Sequence, residues 1–208
     1  DTESLLKTTA KKLDKLERQM SLQKSSYREL YRVAKERRGR LRQLPAIRPA
    51  NGRIISNFGM RRHPILKVRK MHEGIDFLLR TGTPVMATAK GTVERAEQSP
   101  SYGKVIEIQH PKADYMTRYA HLSEIPDDIY RGAEVQRGDT IGLSGNTGLS
   151  TGPHLHYEVH KLDGRALDPM KFLVPDMSPE SYQKLERRTR QYRARIEEKA
   201  SSPLQAAR

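Results

Sequence analysis

The stretch TGPHLHYEVH, residues 151–160, holds three of the chain's seven histidines. Read with the two-residue period of a strand, His154, His156, Glu158 and His160 share one face, and Leu155, Tyr157 and Val159 share the other. The apolar face can pack on a core, so the segment is predicted to be a half-buried strand. Its polar face presents two imidazoles about 7 Å apart. That pair suits a metal site or a proton-handling site, and a strand with exposed histidines has the same alternation.

A second cluster lies some eighty residues earlier, in RKMHEGIDF, with His72 and Asp76. Gly74 argues against a continuous helix, so the four-residue spacing reads as a loop entering a strand. Ile75 and Phe77 then face the core and Asp76 the opposite side. An aspartate in that position needs a partner, either a divalent metal shared with histidine or a salt bridge to Arg or Lys. A third piece, TRYAHLS, puts Tyr119 and His121 on one strand face. The chain thus offers His72, Asp76, His121, His154 and His156. Zinc prefers nitrogen and oxygen ligands in a tetrahedron, and a catalytic site leaves one corner to water. Two histidines, one aspartate and a water fill that tetrahedron, and two histidines remain for protons and charge. A hydrolase needs that count, because zinc lowers the pKa of water and polarises a carbonyl.

The elements that must position these residues are short and β-type. RIISNF (53–58), GIDFLL (74–79), PVMATA (84–89), GTVERAE (91–97), KVIEIQH (104–110), DYMTRYAHL (114–122), TIGLSG (140–145) and HLHYEVH (154–160) are candidate strands, separated by Gly or Pro. They predict an all-β sandwich or barrel. A glycine-rich turn region, GLSGNTGLSTGP (142–153), delivers the chain to the histidine strand. Before residue 45 the texture is different. Leu6, Leu13, Met20, Tyr27, Ala34 and Leu41 recur every seven residues, with Leu16, Leu30 and Leu44 three positions on. This predicts a long amphipathic helix, either a coiled coil or an arm folded on the next domain, ended by Pro45 and Pro49. A last helix is expected from an N-cap at Ser178, with Pro179 following and Tyr182, Leu185, Thr189, Tyr192 and Ile196 at helical spacing. The expected division is a helical arm and linker over 1–50, a β domain over 51–175, and a C-terminal helix and tail over 176–208.

Composition narrows the classes. At 35% hydrophobic and 31% charged residues, part of the 208-residue chain is not core-forming. The absence of cysteine rules out disulfides and thiolate ligands, and it suits a bacterial envelope protein. Residues 1–50 carry 14 Lys and Arg against 6 Asp and Glu, so +8 of the net +14 sits in the arm. That placement favours a solvated helix face or attraction to an anionic membrane or wall polymer over nucleic-acid binding. No apolar run is long enough to span a bilayer. Because the first residue is Asp, the native chain is expected to continue upstream into a membrane anchor.

HEGIDF, YAHLS and GNTGLSTGPHLHYEVH, in this order, closely resemble the lysostaphin-like LytM-domain peptidases, the β-lytic metallopeptidase family; SNFGMRRHPI fits as well. The resemblance covers residues 52–175. It implies an antiparallel β fold of the duplicated-hybrid-motif type, zinc held by His72, Asp76 and His156, and catalytic roles for His121 and His154. It further implies cleavage of peptide cross-links in bacterial peptidoglycan, in the periplasm or on the outer face of the inner membrane. The two helices look like those of envelope-anchored members of Bacteroidetes-type bacteria, with the arm open to self-association. Among the other histidines, His63 is a candidate for touching substrate or metal, His110 reads as a surface turn residue, and His160 as structural or exposed. Tyr102 and Tyr119 are expected to pack, although both carry hydroxyls that suit a tetrahedral intermediate. Asn57 matches a position where some relatives place an inhibitory ligand. The competing function is a non-catalytic or autoinhibited LytM-like regulator of wall hydrolases. A biotinyl-type carrier leaves the histidines unexplained.

Overall fold

The computed structural model describes residues 2–173 apart from His63, Pro64 and Leu66, together with isolated positions between 180 and 194. Ser178 and Pro179, where a last helix is expected to start, and its stripe Tyr182, Leu185, Thr189, Tyr192 and Ile196 lie outside the described residues, as does His63. The chain divides into two compact units, residues 1–41 and 42–208.

The first unit is a single helix, α1 (Thr2–Arg42). Its 41 residues span about 60 Å. It is built from strong helix formers, with no Pro and no Gly before Gly39, and Pro45 prevents its continuation. Arg32 bonds Glu29 at 2.6 Å and Glu36 at 2.8 Å on its exposed surface. Such pairs add only a few tenths of a kcal/mol. Of the heptad residues, Leu13, Met20, Tyr27 and Leu41 are exposed, as are Leu16 and Leu30. The Leu6 side chain lies outside the described ones. Among the described residues no helix is long and apolar enough to cross a membrane.

The second unit is antiparallel β. Its strands are β1 (Arg53–Ser56), β2 (Gly59–Arg62), β3 (Arg69–His72), β4 (Gly74–Leu78), β5 (Pro84–Met86), β6 (Gly91–Ser99), β7 (Gly103–His110), β8 (Tyr115–Glu124), β9 (Glu134–Val135), β10 (Thr140–Ser144), β11 (His154–Lys161) and β12 (Ala166–Leu167). All eight candidate segments are strands. The β2–β3 hairpin and the two-residue strands β9 and β12 carried too little alternation to be read. Ten strands join in one sheet in the order β1-β4-β11-β8-β7-β6-β9, with β10 against both β5 and β8 and β12 against β11. The expected all-β antiparallel architecture is thus realised largely as one branched sheet, joined at β10, with the β2–β3 hairpin apart from it.

One face of this sheet carries the core: Ile75 and Phe77 from β4, Ile106 and Ile108 from β7, Tyr119 and Leu122 from β8, and Leu155, Tyr157 and Val159 from β11. The hydroxyls of Tyr119 and Tyr157 both lie 2.9 Å from the Thr88 hydroxyl, which satisfies three polar groups inside the core. Tyr119 is thus a packing residue. His110 corrects the sequence reading, for it is fully buried rather than a surface turn residue. Its ring sits between the Lys90 carbonyl at 2.8 Å and the Thr117 hydroxyl at 2.9 Å. Burial pushes its pKa down to about 4, against the Lys90 carbonyl, which favours the charged form. β11 is also more buried than expected: His156, Glu158 and His160 are enclosed as fully as the apolar residues between them.

Candidate metal centre

The polar face of β4 and β11 forms the site. These strands pair in register with His156 opposite Asp76, so two side chains eighty positions apart project side by side. His72 ends β3, two residues before β4 begins. Gly74 permits the junction, since a Cβ there would come within 2.4 Å of the Tyr157 carbonyl and 3.0 Å of the His156 ring.

Three ligand-type atoms converge. His156 Nδ1 lies 2.8 Å from Asp76 Oδ1, and His72 Nε2 lies 3.2 Å from that oxygen and 3.1 Å from His156 Nδ1. A tetrahedron with bonds of about 2.0–2.1 Å has edges of roughly 3.3 Å, so this triangle is close to one face of a zinc site. The outer nitrogens decide the tautomers. His72 Nδ1 donates to the Asn57 carbonyl at 2.7 Å, and His156 Nε2 donates to Glu158 Oε1 at 2.7 Å. Each neutral ring therefore turns a lone pair inward, toward a carboxylate oxygen. Two lone pairs and an anion in van der Waals contact require a cation between them, either a metal or a proton. The pKa shifts express the same demand. Burial opposes charge on His156, but Asp76 and Glu158 outweigh it and hold its imidazolium up to about 9. Burial likewise raises Asp76, yet the adjoining His156 and His72 rings hold it well below the usual carboxylate range. The outer oxygen of Asp76 meets Arg61 at 3.3 Å, so the two partners weighed for this aspartate are both present, one on each oxygen.

His121 and His154 reach the same place by different means. β8 was expected to put Tyr119 and His121 on one face; the structure corrects this. The β7–β8 register slips between Lys104 and Ile106, where Val105 alone faces Ala120 and His121. His121 within this bulge takes a left-handed φ of 62°. The extra residue sends Tyr119 and Leu122 into the core and His121 to the site face. His121 Nδ1 donates to the Thr147 carbonyl at 2.7 Å, and His154 Nδ1 donates to the Gly152 carbonyl at 2.8 Å. Both acceptors belong to the 145–153 loop. Gly148, at φ 72°, lets that loop press against Gly103, where a Cβ would meet its nitrogen at 2.3 Å. The His121 and His154 rings are 4.7 Å apart, and His154 Nε2 lies 3.9 Å from Asp76 Oδ1. Burial, with the neighbouring His154 and His156, lowers the His121 pKa to about 4 against the pull of the Thr147 carbonyl, leaving a neutral ring at neutral pH.

All five sequence-predicted residues line one groove of about 650 Å³, walled also by Ile55, Arg61, Lys70, Met71, Tyr102 and Leu149. Asn57 serves through its backbone carbonyl. Tyr102 does more than pack: its hydroxyl donates to Glu158 at 3.1 Å. Glu158 stood in the visible alternation of β11 without an assigned role, whereas the carbonyls of Asn57, Thr147 and Gly152 leave no trace in residue type.

Residues 70–169 match peptidase family M23. The chain carries an M23 peptidase domain. It is 48% identical over 124 residues to the peptidoglycan DD-endopeptidase ShyA of Vibrio cholerae, a match covering 59% of this chain and 28% of that protein. The M23 domain is also similar to a solved zinc containing peptidase from Vibrio cholerae, with 38% identity, TM-score 0.53, and 59% and 38% of the two chains covered. The catalytic domain of lysostaphin from Staphylococcus simulans matches at 33% identity and TM-score 0.53, over 59% of this chain and 92% of that one. The chain spans about a quarter of the length of the curated relatives it matches, 24% and 28% for two of them.

Proposed function

We propose that this chain is a zinc metalloendopeptidase that hydrolyses peptide cross-links of bacterial peptidoglycan in the cell envelope. The observation that carries this reading is the inward convergence of two imidazole lone pairs and one carboxylate, with two more imidazoles in the same groove. His72 Nε2, Asp76 Oδ1 and His156 Nδ1 would hold the metal. Bound zinc supplies Lewis acidity toward a scissile carbonyl and lowers the pKa of a water. His121 and His154 present their Nε2 atoms to the groove, each fixed by a backbone carbonyl behind it. Kept neutral by burial, His121 is ready to accept a proton from the attacking water. His121 then returns that proton to the leaving amine, and His154 in its doubly protonated form would donate Nε2–H to the developing oxyanion. Arg61 holds the outer oxygen of Asp76 and so keeps the inner one turned to the ligands. The relatives named as peptidoglycan DD-endopeptidases support the substrate class. To the exposed heptad stripe of α1 we assign self-association.

The test is zinc content together with digestion of purified peptidoglycan. Stoichiometric zinc and conversion of cross-linked muropeptides to monomers are expected. Zinc uptake should release about one proton and strengthen as pH rises toward 9, because His156 is otherwise protonated below that value. A chain that takes up no metal, or leaves every cross-link intact when loaded, overturns the reading.

A further inference from the structure

We propose that Glu158 is a positioning residue for the metal ligand His156, and that a ladder of alternating charges across the sheet holds Glu158 in place. The inference rests on the reading of His156 as a ligand and extends it to four strands.

Glu158 is 1% exposed. A carboxylate that deep is costly unless every lone pair is met. Here four donors meet two oxygens. Oε1 accepts from His156 Nε2 at 2.7 Å and from the Tyr102 hydroxyl at 3.1 Å. Oε2 accepts from His160 Nε2 at 2.7 Å and from Arg118 Nη1. Arg118 continues the chain of charges: its Nε lies 2.7 Å from Glu107 Oε1, and Arg95 Nη1 lies 3.3 Å from the same oxygen. The sheet register produces this sequence of contacts. Glu158 is directly opposite Arg118, Arg118 opposite Glu107, and Glu107 opposite Arg95, across β11, β8, β7 and β6. Side-chain exposure is lowest at Glu158, 1%, intermediate at Arg118 and Glu107, 15% and 13%, and highest at Arg95, 34%. Cross-strand opposite charges stabilise a sheet modestly at its surface, and a buried ion pair is poor evidence of a stability role. The arrangement is better explained by its end point. An anion fixed on His156 Nε2 leaves Nδ1 as the only lone pair and makes it a stronger donor toward a metal. Glu73 clusters with Glu158 and His160 as a possible cation site. Both Glu158 oxygens, however, already accept two hydrogen bonds each.

The experiment uses the full chain and zinc itself, with affinity read by chelator competition and the His156 ring read by long-range proton–nitrogen NMR. In the zinc-loaded wild type, His156 should be metallated at Nδ1 and carry a strongly deshielded Nε2 proton. Glu158→Gln keeps the size of the side chain and removes its charge. It should weaken zinc about 10- to 100-fold and shift that proton upfield. Arg118→Gln should give a smaller loss, and Glu107→Gln the smallest, so that the effect decays along the ladder. Zinc affinity of Glu158→Gln within twofold of wild type, with an unchanged His156 spectrum, overturns the proposal. If Glu158→Gln does not fold, the wild-type spectrum decides alone: metallation at Nε2, or an Nε2 proton without the deshielding of a bonded one, overturns it. A wild type that takes up no zinc removes the metal reading and this one together, whereas equal affinities remove only this one.

Discussion

The helix α1 and the β unit follow opposite rules. The bonds that make α1 a helix join residues about one turn apart, its described leucines, methionine and tyrosines are exposed, and its ion pairs are three and four positions apart. In the β unit, short local contacts at the site are tied together by others that join residues 84, 80 and 26 positions apart. Local order gives α1 a shape without a place to do chemistry. Non-local order gives the β unit a place where unfavourable groups are forced together, and such places bind cations and move protons.

If the contrast is right, the largest effect comes from breaking the non-local triangle. Asp76→Ala should lose bound zinc and lower peptidoglycan hydrolysis by about 10⁴-fold or more, since a metal contributes several kcal/mol. Elemental analysis and muropeptide chromatography measure both, and a zinc-free variant with wild-type turnover would break the comparison. Next come the histidines held by loop carbonyls. His121→Ala and His154→Ala should keep zinc and fold but lose about 10² to 10⁴ in rate. Loss of zinc in His154→Ala would mean that the two histidines of HLH have exchanged roles.

A third effect is on stability and belongs to the β unit alone. His110 has a folded pKa of about 4 and an ordinary unfolded value of 6.5. Below pH 6.5 the unfolded chain binds the proton and the folded one does not, so stability falls with pH until about pH 4. The loss amounts to roughly 3 kcal/mol. Urea denaturation of the wild type between pH 7 and 4 should show this loss beyond that of His110→Asn. Equal pH slopes for the two proteins would remove His110 from the account.

The smallest effects concern the arm. Removing residues 1–41 should leave zinc content and hydrolysis per molecule within twofold, while light scattering reports a monomer where the full chain self-associates. Removing 1–44 should cost roughly 1–3 kcal/mol more, at about 1 kcal/mol net for each bond. It deletes the Arg42 carbonyl bonded to Lys90 at 2.9 Å, the Gln43 side chain bonded to Lys112 at 2.6 Å, and the Leu44 carbonyl bonded to Arg137 at 2.8 Å. Equal stability for the two truncations would move the boundary of the β unit past residue 44.

Much was readable before folding was considered. The alternation of HLHYEVH and the sequence HEGIDF identified their strands, put Asp76 opposite Ile75 and Phe77, and with YAHLS supplied all five residues of the groove. Alternation is a local signal, and it holds wherever a strand is regular. It failed at Tyr119 and His121, where a bulge inserts one residue and reverses every later side chain. His110 escaped it too, because a histidine before Pro111 at a strand end looks like a turn until Lys90 and Thr117 close over it.

The sequence by itself determined the donors: which imidazoles and carboxylates exist, and on which side of each strand most of them project. Those properties follow from covalent chemistry and the two-residue pleat. Tertiary structure alone decided which nitrogen of each ring faces inward, since that depends on Glu158 for His156 and on the carbonyls of Asn57, Thr147 and Gly152 for the other three, and backbone acceptors are the same in every residue. It also decided that Glu158, Arg118, Glu107 and Arg95 lie in one line. Strand register aligns them, and register is settled only when the core face of the sheet has packed.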